Sequence, residues 1–287
     1  MRQNTPLDWI VNRALRTLIG VARLMPYGRR VAFVGWVTTN LVAPLAGYHR
    51  RSRENLAMIF PDMPAADRVR IARAAADNAA RTLMEIFSGP ELIEHARAAR
   101  VTGPGMAAIE TARAEGRPVI LLSGHVGNYD VPRGFFAARG ERVGGLYKPL
   151  ANEGFNEAYV SAITSVSGPA FERGRRGMGQ MLAFLKAGGM LGVLFDQRIH
   201  KAELLDFLGY PARTALSAAE MALKYGALLV PVYGIRQPDG LSFELATEDP
   251  IPHTDARTMM QRASDSLAAR VRANPEQYFW IHRRWKP

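Results

Sequence analysis

Hydrophobic positions in the first third of the chain recur at helical spacing. Leu7, Ile10, Val11, Ala14, Leu18, Val21 and Met25 fall near one stripe of a helix over 6–25, with Arg13, Arg16 and Arg23 largely off it. A second apolar run, 31–47, lies between Arg29-Arg30 and Tyr48-His49-Arg50-Arg51. Over 64–87 the pattern is helical again, through Val69, Ile71, Ala72, Ala76, Ala79, Leu83 and Ile86. Asp67 can cap its start, and Gly89-Pro90 ends it. After residue 100 the period changes. Short apolar runs at 118–123, 143–147, 190–195, 228–233 and 243–247 predict strands. Helical stretches at 105–115, 132–138, 153–166, 177–186 and 217–225 alternate with them, followed by 255–273 and an apolar 278–281 run. This alternation predicts an α/β fold, a mixed sheet flanked by helices over 101–287, fed by an N-terminal helical segment over 1–100. No linker separates the two parts.

Neither N-terminal run reads as a membrane span, which takes about 20 uninterrupted apolar residues. Arginines break the first run, and the second is short and carries Asn40 and Pro44. No apolar core followed by a small-residue cleavage site is present, so a secretory signal is not expected. An apolar stripe edged by Arg suits a helix lying in the headgroup layer, with Trp9, Tyr27, Trp36 and Tyr48 at the interface. The alternative is an amphipathic cap on the protein's own core. The basic flanks favour a membrane-associating segment on the cytoplasmic side.

Composition narrows the chemistry. With 287 residues, 48% of them hydrophobic, the chain can bury one sizeable core plus a small helical appendage. The absence of Cys excludes disulfides, a thiol nucleophile and a thiolate metal site. The net charge of +11 suits nucleic acid, an anionic membrane or an acidic protein equally. Charge is the only feature that favours nucleic acid, because no recognised binding module is present. There is also no Walker loop, no zinc-spaced ligand set and no Gly-x-Ser-x-Gly elbow.

The most informative segment is Val119 to Asp130. A buried strand ends at Ser123-Gly124, His125 follows, and a helix begins soon after. Chemistry in α/β sheets gathers at the carboxyl ends of strands. Gly124 and Gly127 allow close approach of substrate to backbone. Asp130, five residues on, can act as the carboxylate that orients His125, leaving the other ring nitrogen to take a proton from a substrate hydroxyl. Developing oxyanion charge would need backbone N–H groups or a cation nearby. The spacing alone is weak, since 6 His and 26 acids in 287 residues produce such matches by chance. A second one, His49 with Glu54, sits in an Arg-rich stretch without a strand end or glycine and reads as a solvated or membrane-facing segment. The strand–Gly–His–x–Gly context is what singles out His125.

Longer motifs resemble the bacterial late acyltransferases of lipid A synthesis, which share a His-x4-Asp/Glu motif with the glycerophosphate acyltransferases. The resemblance covers nearly the whole chain. It rests on Arg51-x3-Asn55-Leu56 with Phe60-Pro61, the Ser123–Asp130 block, Tyr147-Lys148-Pro149-Leu150, Phe195-Asp196-Gln197, Pro231-Val232, and the most specific block, Pro275 to Lys286. It implies His125 as general base with Asp130 as its partner. Gly127, Asn128, Tyr147, Lys148, Asp196, Gln197 and Arg283 would bind substrate or support the site, with Arg283 and Arg284 closing the C-terminal block. Arg173 and Arg176, in Arg173-Gly174-Arg175-Arg176-Gly177, and Arg213, in a loop over 207–214, are further candidates for substrate contact; solvated turns are their alternative. The donor would be an acyl-acyl carrier protein, whose acidity fits the basic surface. The acceptor would be a lipid hydroxyl, and no metal or nucleotide is implied.

Some positions depart from the family pattern. Tyr129-Asp130 stands where Trp-Glu is usual, Lys148 replaces Arg, and Tyr159 to Ser165 lacks an Arg. These changes bear on the acceptor more than on the reaction. A lysophospholipid acyltransferase is the second enzyme reading, although Leu194-Phe195-Asp196-Gln197-Arg198 replaces the phosphate block of that type. A peripheral lipid-binding protein is the non-enzyme reading.

Overall fold

The computed structural model describes residues 6–150 and 152–285, so Lys286 of the C-terminal motif lies outside it, as do the side chains of Leu7, Ile10 and Val11. Residues 6–97 are mainly helical: α1 (Pro6–Arg23), α2 (Tyr27–Val37), α3 (Ala43–Leu45), α4 (Tyr48–Ile59), α5 (Ala65–Ile86) and α6 (Gly89–Arg97). The second apolar run is not one straight helix. A π-turn at Thr38–Val42 joins α2 to α3. Gly47, at φ 68°, then turns the chain into α4. The two arms, Tyr27–Leu45 and Tyr48–Ile59, lie 84° apart, and no single described helix is long and apolar enough to cross a membrane.

From residue 100 the chain alternates: β1 (Arg100–Thr102), α7 (Gly105–Ala114), β2 (Val119–Ser123), α8 (Val131–Ala138), β3 (Val143–Tyr147), α9 (Glu153–Val166), β4 (Ala170–Glu172), α10 (Arg175–Lys186), β5 (Met190–Leu194), β6 (Glu203–Phe207), β7 (Tyr210–Thr214), α11 (Ser217–Tyr225), β8 (Leu228–Arg236), β9 (Phe243–Thr247) and α12 (Ala256–Ala273). A seven-stranded sheet in the order β1-β9-β8-β2-β5-β3-β4 forms the centre. All its pairs are parallel except β8 with β9. The mixed α/β architecture expected from the alternation is therefore present.

Helices cover both faces, which is why β2 and β8 read as unbroken apolar runs and are buried along their whole length. Ile120 and Leu122 join one core with α11 and α12, while Val119 and Leu121 face the other with α7 and α8. α5 contributes to both cores, Ile71 and Ala72 to one and Met84 and Ile86 to the other.

The 207–214 stretch is not a loop but most of a hairpin. β6 and β7 pair antiparallel across Leu208 (φ 61°) and Gly209 (φ 89°). Its turn carries Leu-Gly rather than Asn-Gly or Asp-Gly, so the usual hairpin signal is missing. The three-residue strands β1 and β4 were too short to leave a period.

Candidate active site

The register of two neighbouring parallel strands builds the site. β2 pairs with β5 so that Ser123 lies opposite Leu194. Two residues beyond each strand end stand His125 and Asp196, at equal height. The Asp196 carboxylate accepts from the His125 backbone N–H (2.9 Å) and bonds its Nδ1 (2.7 Å). Asp196 is buried, and burial alone would raise its pKa; the His125 imidazole, the hydrogen bonds from His125 and the Arg284 guanidinium outweigh this and hold it at about 2. An ionised carboxylate on Nδ1 leaves Nε2 as the free basic position. The Gln197 amide nitrogen lies 3.3 Å from Nε2. The rings of Tyr129 and Phe279 flank the imidazole, and the Phe279 N–H donates to His125 O (3.0 Å).

Asp130 does not orient His125. Gly127, at φ 61°, turns the chain, the Asn128 N–H bonds Gly234 O (2.8 Å), and Asp130 becomes the residue before α8. One helical turn on, it ion-pairs with Arg133, whose guanidinium also reaches Ile163 O and Ser167 O. Both are buried. The spacing that suggested a catalytic pair therefore belongs to a helix start and its i,i+3 ion pair.

A buried polar network from α5 holds the loop that carries His125. Asn78 Nδ2 and Thr82 Oγ1 donate to Gly127 O at 2.9 and 3.2 Å. Asn128 Nδ2 donates to Glu85 (2.7 Å), and Arg236 on β8 donates to Glu85 (2.7 Å) and to Asn78 Oδ1 (2.8 Å). The Gln277 side chain closes on both backbone groups of Arg236, each at 2.9 Å. A Cβ at Gly127 would lie 2.0 Å from Gly234 O, so only glycine fits there. Sequence reasoning missed Asn78, Thr82, Glu85 and Arg236. The available signal was the i,i+4,i+7 spacing of the three α5 residues, which puts polar groups together on one face of an otherwise apolar helix.

In the C-terminal block it is Arg284, not Arg283, that supports the site. Arg284 is buried, donates to Thr214 Oγ1 and Arg213 O, and faces Asp196 electrostatically. Burial lowers its pKa, against the opposing effects of Tyr278 and Asp196. Arg283 is exposed. The His282 Nε2 accepts from the Arg198 N–H (2.9 Å), and burial lowers the His282 pKa. Asn55 Nδ2 donates to Trp280 O (2.7 Å) and His282 O (3.1 Å). The N-terminal and C-terminal motifs therefore meet.

His125 lines one cavity, together with Gly127, Tyr129, Gln197 and Phe279 and with Asn78 and Thr82 of α5. A second cavity, which His125 does not line, runs along β2, β3 and β5 between Leu121, Gly145, Tyr147, Gly192 and Ile163, with Asp130 and Arg133 in its wall. Tyr129 and Tyr159 line both. Burial raises both hydroxyl pKa values, Tyr159 to about 12, so both stay protonated. The structure thus brings His125, Gly127, Asp196 and Gln197 together, with Asn128 locking the loop and Tyr147 in the second cavity. Lys148, Arg173 and Arg176 are exposed and line neither cavity. Arg213 spends its guanidinium on Ala202 O (3.0 Å) within its own hairpin.

Known proteins share this organisation at the level of sequence. The family model for bacterial lipid A biosynthesis acyltransferases matches residues 3–287. The lipid A biosynthesis myristoyltransferase of Escherichia coli is 26% identical over 243 residues, 81% of this chain and 73% of that protein. The phosphatidylinositol mannoside acyltransferase of Mycobacterium tuberculosis is 24% identical over 250 residues, 81% of this chain and 76% of its own length. Matched from end to end by that model, with an ionised carboxylate on a strand-end histidine that lines a cavity, the chain belongs to the bacterial lipid A biosynthesis acyltransferase family and is an acyltransferase.

Proposed function

We propose that this protein moves a fatty acyl group from acyl carrier protein to a hydroxyl of a lipid, with His125 as general base. The observation that carries the reading is the His125–Asp196 pair, whose histidine lines one cavity that Tyr129 and Tyr159 share with a second. Nε2 takes the proton of the acceptor hydroxyl as its oxygen attacks the thioester carbonyl. Asp196 holds the ring and stabilises the imidazolium that forms. The new C–O bond replaces the C–S bond, and the proton passes from Nε2 to the departing thiolate of the carrier. The Gln197 amide, 3.3 Å from Nε2, is a side-chain donor that can serve the developing oxyanion. The apolar cavity beyond Tyr129 and Tyr159 takes the acyl tail, and Asp130 acts through Arg133 in its wall.

The acceptor is a lipid A precursor or a similar lipid, in keeping with the relatives' acceptors. The chain works on the cytoplasmic face of the inner membrane as a peripheral or monotopic protein. Exposed Trp9, Leu24 (87%), Trp36 and Leu45 (91%) on the N-terminal helices support this, because a water-facing surface rarely keeps so many large apolar groups bare. The net charge of +11 suits an acidic carrier. The test is transfer from acyl carrier protein to a panel of lipid A precursors, lysophospholipids and lyso-aminolipids, followed by mass spectrometry. One acceptor class should be acylated, with His125→Ala about 10²–10⁴-fold slower. Equal rates for variant and wild type would overturn the assignment. A lipid that binds without turnover would favour a lipid-binding protein instead.

A further inference from the structure

A groove larger than either of the two cavities described above lies between α1, the start of α2, the start of α6 and α9. It is not part of the acyl-transfer site. Ala158, Ser161, Ala162 and Ser165 of α9 face it, whereas Tyr159 and Ile163 of the same helix face the cavities near His125. One helix thickness, about 10 Å, separates the two sides. We propose that this groove binds the phosphate group of an anionic membrane lipid and holds the protein at the bilayer surface through that headgroup.

Charge comes first. Arg16, Arg23 and Arg30 line the groove, against one carboxylate, Glu91. Arg30 pairs with Glu91, and Arg23 gives one N–H to Phe87 O. A guanidinium has five N–H donors, so Arg23 and the exposed Arg16 retain most of theirs. Arg30 is 7% exposed, and its Nε has no hydrogen-bond partner. A half-enclosed excess of positive charge is costly unless an anion enters. The α6 N-terminus opens on the same space and favours an anion in the same direction.

Position is the second argument. Arg23 is followed by Leu24, 87% exposed, and Val21 on the outer side of α1 is bare as well. The cationic groove thus opens beside apolar side chains that water does not explain, which is the arrangement of a helix seated at headgroup depth. The hydroxyl of Ser161 on the opposite wall is a further donor within the groove, whereas Ser165 gives its proton to Ala162 O (2.7 Å). The inference rests on the peripheral membrane reading above but not on the catalytic one.

The test uses the full chain and water-soluble lipids, so that binding in the groove is separated from adsorption to a surface. Calorimetric titrations would use dihexanoyl phosphatidylglycerol below its micelle concentration, the phosphatidylcholine analogue, and inorganic phosphate. Arg16→Gln and Ser161→Asp alter the groove, and Arg13→Gln removes the same charge from the same helix outside it. Phosphatidylglycerol should bind and phosphatidylcholine should bind more weakly. Arg16→Gln should weaken binding about fivefold, Ser161→Asp at least as much, and Arg13→Gln should leave it unchanged. Inorganic phosphate binding with the same sensitivity to Arg16 supports the site and makes phosphate itself the recognised group. Equal losses in Arg13→Gln and Arg16→Gln would overturn the proposal in favour of diffuse attraction. If phosphatidylglycerol vesicles adsorb the protein while the soluble lipid does not bind, the groove is refuted and the membrane reading stands; if neither binds, both fall.

Discussion

Asp196 and Asp130 are both buried carboxylates near His125, and exchanging each for Asn separates their roles. Asp196 is held at about 2 against an ordinary 3.8, which corresponds to about 2.5 kcal/mol in favour of the charged form. The carboxylate is buried, so solvent does not screen this coupling away. The same interaction stabilises the imidazolium that forms when Nε2 accepts a proton. Because Arg284 supplies part of the shift, loss of that interaction alone slows the chemical step by up to about two orders of magnitude. Asn adds a second effect: its amide can donate to Nδ1, which moves the ring proton to Nε2 and removes the base. Asp196→Asn should therefore lower kcat about 10²–10⁴-fold with little change in KM. Asp130→Asn leaves Arg133 as a buried charge without its counter-ion, and such losses cost about 3–5 kcal/mol of stability. Its signature is a lower denaturation midpoint, with kcat per folded molecule changed far less. The assay is transfer from acyl carrier protein, with chemical denaturation alongside. If Asp196→Asn keeps full kcat, or if Asp130→Asn loses activity with an unchanged midpoint, the pairing argued here is wrong. The depressed Asp196 pKa also has a sign: its stabilisation is fully present above about pH 4 and is lost as pH falls towards 2.

Glu85→Gln should destabilise the fold by about 3–5 kcal/mol in chemical denaturation, because Arg236 would remain buried without its carboxylate. Gly145→Leu should shift donor preference towards shorter acyl chains, read as the ratio of kcat/KM across chain lengths, because Gly145 lines the apolar cavity beside Arg133. Burial lowers the pKa of His282, so the unfolded chain takes up its proton first. Its contribution is intact above the ordinary histidine value of 6.5 and declines as pH falls below it. His282→Gln should flatten the denaturation midpoint over that range.

The chain's local patterns carried much of the architecture. Five strand runs and the helices between them follow from the period of apolar residues, because a side chain's direction repeats every two residues in a strand and about every 3.6 in a helix. His125 was legible for a similar reason: a strand end, two glycines and a histidine are neighbours in sequence. Its partner was not. Asp130 is five residues away along the chain but faces Arg133, whereas Asp196 is 71 residues away and touches the ring. Only the pairing of β2 with β5, in a register that sets Ser123 against Leu194, brings it there. Arg284 and Arg283 are adjacent in sequence, yet only packing buries one and leaves the other in solvent. The α5 network and the Arg16–Arg23–Arg30 groove likewise join groups from separate helices and strands. Sequence by itself determined most of the helices, five of the nine described strands and where a histidine would stand at a strand end, since these depend on residues within a few positions of one another. Tertiary structure alone decided which carboxylate serves that histidine and where the arginines converge, because electrostatic and hydrogen-bonding partners are chosen by distance in space, and the sheet's strand order sets that distance.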